Sequence, residues 1–284
     1  MDLSQVSRSI EVAGETFPVV DVGHGPAVLL LHGFPDSRLL WRHQVPALVD
    51  AGYRVIAPDL RGFGDAPRPT DIRAYRRPAL VSDALGLLDA LDLDRVHLVG
   101  HDWGASLAWR IAGSCPDRIN RLVVMSVGAP MTPGWETAEQ KKASWYFEFF
   151  CQPGIAEAAI VADDWKILRD WCRGQGDQER YLRELARPGA LTAGLNWYRG
   201  AFLPPGPDEK PWPPLPRWEK VRCPTLGIWG ENDPFLLEPQ IEGSGPFVDA
   251  PWRYERITEA GHWLMLDQPE MLNRLLLEFL RVAP

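Results

Sequence analysis

The stretch LVGHDWGAS, Leu98 to Ser106, holds the pattern that decides the fold of this chain. The aliphatic run before it stops at Gly100, and Gly104 opens the helix-prone run ASLAWRIAG. Glycines placed two positions to either side of one residue mark a sharp strand-to-helix turn that exposes the middle side chain. The usual middle residue is serine; here it is Asp102. Aspartate also suits a plain helix N-cap, so the rest of the chain has to decide between a structural and a chemical role.

Outward from this turn the chain divides into three parts. From FPVVDVG to about Pro130, the runs PAVLLLHG, YRVIAPD, VHLVG and RLVVMSV read as buried strands bounded by turn residues. Between them, DSRLLWRHQVPALVDAG and RRPALVSDALGLLDALDL space their apolar residues near the helical period. Such alternation requires crossover connections and a mostly parallel sheet. From Met131 to Arg217 no strand-like run occurs, and aromatic residues sit on helix-spaced segments such as ASWYFEFF, ADDWKILRDWC and AGLNWYRGAF. That part closes with LPPGPDEKPWPPLP, whose prolines can neither continue a helix nor enter a central strand; it reads as a stiff return linker. CPTLGIWGEND and WRYERIT restore the strand pattern, and DQPEMLNRLLLEFLRV supplies a closing helix. The expected organisation is an α/β core made of residues 1–130 and 218–284, with a helical cap inserted at 131–217.

The 284 residues are 45% hydrophobic and 24% charged, with a net charge of -8. This acidic balance argues against nucleic acid, whose phosphates select a basic face. The amino terminus, MDLSQVSRSIEVAGE, lacks the layout of a secretory signal. No apolar run approaches the ~18 residues of a membrane span. Cys115, Cys151, Cys172 and Cys223 have no paired spacing, which argues against a zinc site or a disulfide framework. The expectation is a cytoplasmic protein without membrane span, metal or cofactor.

Ligands of open parallel sheets bind beyond the carboxyl ends of strands. Four such ends carry reactive residues: His32-Gly33-Phe34-Pro35, His101-Asp102-Trp103, Glu231-Asn232-Asp233 and Gly261-His262-Trp263. Nucleophile, acid, histidine is the chain order of an α/β-hydrolase. Glu231 competes with Asp233 for the acid, whereas GAPMTPG after RLVVMSV offers no carboxylate.

Over nearly its whole length the chain resembles the epoxide hydrolases of the α/β-hydrolase fold. HGFP is similar to that family's oxyanion motif, GHDWGA to its elbow, GHW to its histidine motif, and LNWYR to its second cap-tyrosine motif. The resemblance implies a detoxification enzyme that turns a small hydrophobic epoxide and water into a vicinal diol, without a cofactor. It implies Asp102 as nucleophile, His262 as base, Asp233 as the acid orienting His262, and Tyr146 and Tyr198 as donors to the epoxide oxygen. It also places the backbone N–H groups of Phe34 and Trp103 in an oxyanion hole, with both residues beside the substrate. The stretch around Tyr146 departs from the family, having Cys151 where relatives often carry glutamine, and Tyr181 is the next candidate.

These residue types suit the reaction. A carboxylate, with a reference pKa of about 3.9, is ionised at neutral pH and attacks saturated carbon without a base. A histidine then activates water against the ester, and a tyrosine, with a pKa of about 10, stays protonated and donates. A haloalkane or haloacid dehalogenase would use the same triad but needs only N–H donors for the leaving halide. Phe34 stands where haloalkane dehalogenases often carry asparagine. A non-catalytic ligand-binding protein on a hydrolase fold is the other alternative. Seven of the thirteen tryptophans lie between Trp135 and Trp218, enough to pack a cap and to line an apolar pocket beside Trp103.

Overall fold

The computed structural model describes residues 1–206 and 216–281. Eight strands form one sheet: β1 (Ser7–Val12), β2 (Glu15–Val22), β3 (Ala27–Leu31), β4 (Arg54–Pro58), β5 (Val96–His101), β6 (Ile119–Met125), β7 (Thr225–Gly230) and β8 (Trp252–Ile257). Their order is β1-β2-β4-β3-β5-β6-β7-β8, antiparallel from β1 to β4 and parallel from β4 onward. Every residue of β3, β5 and β7 is buried. Strands covered by helices on both faces have to be apolar throughout, which is why these read as continuous runs. β1 escapes the sequence pattern because only Ile10 and Val12 of its residues are buried.

The core helices are α1 (Gln44–Asp50), α2 (Arg77–Ala90) and α3 (Trp103–Ser114). DSRLLWRHQVPALVDAG, expected as one helical stretch, is a 3-10 turn at Arg38–Trp41 followed by α1. Pro46 explains the break: proline lacks an N–H and is tolerated only in the first turn of a helix, so α1 begins two residues before it.

Among the described residues five helices lie between β6 and β7: α4 (Ala138–Ala143), α5 (Tyr146–Phe150), α6 (Ile155–Cys172), α7 (Gln178–Leu185) and α8 (Ala190–Phe202). α6 is broken where Asp163, Asp164 and Trp165 take positive φ. No strand occurs in this segment among the described residues. Of the proline-rich stretch expected as a linker, residues 207–215 lie outside the described residues. After β7 come α9 (Glu238–Glu242), β8, α10 (Leu264–Asp267) and the closing helix α11 (Pro269–Leu280). No helix among the described residues is long and apolar enough to cross a membrane.

The inserted helices are tied to the loops at the carboxyl ends of the core strands. Asp36, just beyond β3 and 1% exposed, accepts from Arg180 at 2.5 Å and Tyr181 at 2.9 Å, both on α7. The same carboxylate accepts from Trp263 Nε1 at 2.8 Å, next to the loop after β8. Burial raises the Asp36 pKa, and the Arg180 charge works against that rise.

Candidate active site

The turn after β5 folds as its glycines require. Asp102 takes φ 52° and ψ -121°, a strained conformation for a residue with a side chain. It sits at the N-cap position of α3, yet its side chain makes no capping bond. Instead Oδ1 accepts the N–H of Phe34 at 2.9 Å. A Cβ on Gly33 would lie 2.2 Å from that oxygen, and one on Gly104 would lie 2.1 Å from the Leu31 carbonyl oxygen. Close approach, not flexibility, fixes glycine at both places. Burial raises the Asp102 pKa, while His262 and the N–H groups of Trp103 and Phe34 pull it back.

His262 stands across from this carboxylate. Its Nδ1 lies 2.7 Å from Asp233 Oδ2, and its Nε2 lies 3.9 Å from Asp102 Oδ2. The first distance is a strong hydrogen bond that puts the proton on Nδ1; the second is too long for one, so Nε2 is not held by Asp102. Asp233 is oriented in turn by the N–H groups of Phe235 and Leu236, which donate to Oδ1 at 2.9 and 3.1 Å. Glu231, the competing carboxylate, pairs with Arg256 at 2.9 Å instead. Burial disfavours the His262 cation, but Asp233 and Asp102 outweigh it and raise the pKa.

The backbone of His262 is held from both sides. Its N–H donates to Gln175 Oε1 at 3.0 Å, and its carbonyl accepts from His101 Nε2 at 2.9 Å. Burial drives the His101 pKa well below its ordinary value, so a neutral ring lies 4.6 Å from that of His262. His32 also serves the scaffold: Nδ1 donates to the Gly33 carbonyl at 2.9 Å and Nε2 accepts from Leu60 N–H at 3.0 Å. Burial lowers its pKa to about 3.

The helices above supply the other face. Tyr146 on α5 and Tyr198 on α8 are each 2% exposed, with ring centroids 6.0 Å apart. The Tyr198 ring lies 5.0 Å from Trp103 and 5.6 Å from Phe34. Burial raises both phenol pKa values, and the Asp102 charge raises them further. Neither hydroxyl has an acceptor among the described residues. Tyr181 is placed differently, its hydroxyl being engaged by Asp36.

A cavity of about 330 Å³ opens at Asp102, walled by Trp103, Tyr198, Trp135, Phe147 and Phe202. His262 and Tyr146 lie outside this lining, as does Phe34, whose ring packs against Phe63, Phe150 and Trp171. Three polar residues that sequence reasoning missed also line the cavity: Arg77, Ser106 and Arg110. The signal for two of them was present, since Asp102, Ser106 and Arg110 follow at intervals of four along α3 and share a face. Neither Arg77 nor Gln175 has any such local sign.

A mostly parallel sheet with a strained acid at a strand-to-helix elbow, and a histidine–carboxylate pair at later strand ends, defines an α/β-hydrolase. Residues 26–269 match the family model described as alpha/beta hydrolase fold. The chain is 32% identical over 319 residues to Epoxide hydrolase A of Mycobacterium tuberculosis (strain ATCC 25618 / H37Rv), covering 96% of each chain. It is 33% identical to Epoxide hydrolase 4 of Homo sapiens, over 96% of this chain and 77% of that one. Among solved structures it resembles a variant of the Bacillus megaterium epoxide hydrolase complexed with its product, (R)-3-[1]naphthyloxy-propane-1,2-diol. That match has a TM-score of 0.82 at 26% identity and covers 96% of this chain and 99% of the other. The chain belongs to the α/β-hydrolase fold family and, within it, to the epoxide hydrolases.

Proposed function

We propose that this protein adds water to epoxides to give vicinal diols, through an ester on Asp102. One observation carries the reading: two buried phenols without acceptors among the described residues lie within reach of the charge of the carboxylate that the Phe34 N–H and His262 address. Asp102 Oδ2, the oxygen turned toward His262, attacks an epoxide carbon and the ring C–O bond breaks. The developing alkoxide takes a proton from Tyr146 or Tyr198. Oδ1 becomes the ester carbonyl oxygen, facing the N–H groups of Phe34 and Trp103. His262 then takes a proton from water, whose oxygen adds to the ester carbon. Collapse breaks the ester C–O bond; the departing oxygen takes the proton still on the added hydroxyl, which releases the diol and restores the Asp102 carboxylate, and the proton on His262 returns to the tyrosinate.

The electrostatics favour this order. Asp102 helps hold the His262 pKa up in the free enzyme. Esterification removes that negative charge, so the histidine becomes a readier proton acceptor when water has to be activated. Residues 131–217 act as the lid that brings the tyrosines to the core and excludes water from the reacting atoms.

The position of the new oxygen tests the mechanism. In a single turnover in ¹⁸O-water with enzyme in excess, the diol emerges unlabelled and the label appears in the peptide containing Asp102. Labelled diol from the first turnover would remove the covalent step. A dehalogenase reading draws on Trp103 and Trp171, whose buried Nε1 groups have no hydrogen-bond partner. Halide release from a haloalkane, with no diol from the matching epoxide, would favour it.

A further inference from the structure

Most buried or half-buried arginines of this protein meet a carboxylate or a carbonyl; Arg38, Arg61, Arg180 and Arg199 are examples. Arg110, half-buried, and Arg77, exposed at the start of α2, do not. Neither has an ion-pair or hydrogen-bond partner among the described residues, and the Arg110 Nε is buried without one. Both line the cavity that begins at Asp102. Loss of hydration lowers the pKa of each guanidinium, and in Arg77 the charge of Arg110 lowers it further. Arginine does not shed its proton to escape such a site. Arg77 is also the first residue of α2, where the helix dipole disfavours a cation. Two like charges and a positive helix end therefore meet at one wall of an otherwise largely apolar pocket.

We propose that Arg77 and Arg110 bind the oxyanion, carboxylate or phosphate, of a substrate whose epoxide end lies at Asp102. Guanidinium forks match such groups in two-point contacts. The inference rests on the epoxide reading of the site and names its substrate class: a compact epoxide with an apolar middle and an anionic tail. Geometry limits the size. Asp102 and Arg110 are eight residues apart on α3, about 12 Å along its axis, and the Arg110 side chain leans back toward the amino end. A cavity of about 330 Å³ is at the small end of ligand sites, too small for a long-chain tail. Ser106, between the two, is positioned to add a hydroxyl donor.

The test compares short ω-epoxy acids of increasing chain length with their methyl esters and with the matching phosphate monoesters. Wild-type protein prefers the anionic compounds over the ester by tenfold or more in kcat/KM, chiefly through KM, with a maximum at one spacer length. Acid above phosphate identifies the tail as a carboxylate; the reverse order identifies a phosphate. Arg110→Gln and Arg77→Gln each cut the acid-to-ester ratio about tenfold, and Arg110→Lys retains part of it. Equal turnover of acid and ester by the wild type, or an unchanged ratio in both Gln variants, overturns the anion site. Should no epoxide be turned over, tryptophan fluorescence titration with the saturated acid separates the two claims. Binding that weakens in Arg110→Gln keeps the anion site and removes the epoxide reading, and absence of binding removes both.

Discussion

The two faces of the candidate site are built by different means. On the core face each reactive group sits at a strand end and is braced by backbone: Asp102 by the Phe34 N–H, Asp233 by Phe235 and Leu236. On the cap face the two phenols are held, among the described residues, chiefly by ring packing, Tyr146 against Phe147, Phe150 and Trp171, and Tyr198 against Trp103 and Phe150. Hydrogen-bonded loops fix atoms within narrow limits, as attack and water activation require. Aromatic packing permits small rotations, which suits groups that follow a moving oxygen. In the proposed mechanism the core face carries the bond-making steps, and the cap face tunes one of them.

Removing the base tests that contrast most severely. His262→Gln should lower turnover by about ten-thousandfold to a millionfold, the range for loss of a triad member, and still form the ester. Intact mass should rise by the mass of the epoxide, and peptide mapping should place the gain on Asp102. In the wild type, the single-turnover rate of ester hydrolysis should fall as pH drops through the His262 pKa, because only the neutral imidazole accepts a proton. That acid limb should lie below the pKa of His262 titrated in the free protein, since the ester lacks the Asp102 charge.

The cap face should respond less and in another step. Tyr146→Phe or Tyr198→Phe should each slow alkylation about tenfold, and the double variant about a thousandfold, within the range of general-acid catalysis. Stopped-flow tryptophan fluorescence can follow that phase, and a double variant alkylating at the wild-type rate would break the comparison. The smallest effect concerns the tie between the faces. Tyr181→Phe removes one donor from the buried Asp36 carboxylate and should cost about 2 kcal/mol of stability in urea unfolding. Epoxide ring opening should stay within a few-fold of wild type, because this hydroxyl faces Asp36.

Sequence legibility follows the same division. The core face could be read because strand-end chemistry is local: Gly100 and Gly104 announce the Asp102 elbow, and a Gly-His pair follows the last strand. The sequence already favoured Asp233 over Glu231; the fold adds a physical reason, since it sends Glu231 to Arg256. Two of six tyrosines were singled out by family resemblance; no local physical sign separates them from Tyr181. Arg77 was invisible because its relation to Arg110 spans two helices, and a charge at a helix start reads as a solvated surface. β1 was missed because an edge strand with two buried side chains leaves too faint an alternation.

Gln175 gives the joint between the faces a practical consequence. Its side chain, lying between α6 and α7, accepts the backbone N–H of the histidine that Asp233 orients. A Cβ on Gly261 would strike that amide at 2.3 Å, so the fit leaves no slack. The inserted helices are therefore not an interchangeable module. A chimaera that grafts a foreign cap onto this core to change its substrate range has to carry over Gln175 and the Arg180–Tyr181 pair, or its histidine begins life unmoored. Directed evolution confined to the pocket walls would leave that joint alone; libraries that shuffle whole caps would break it in most of their members.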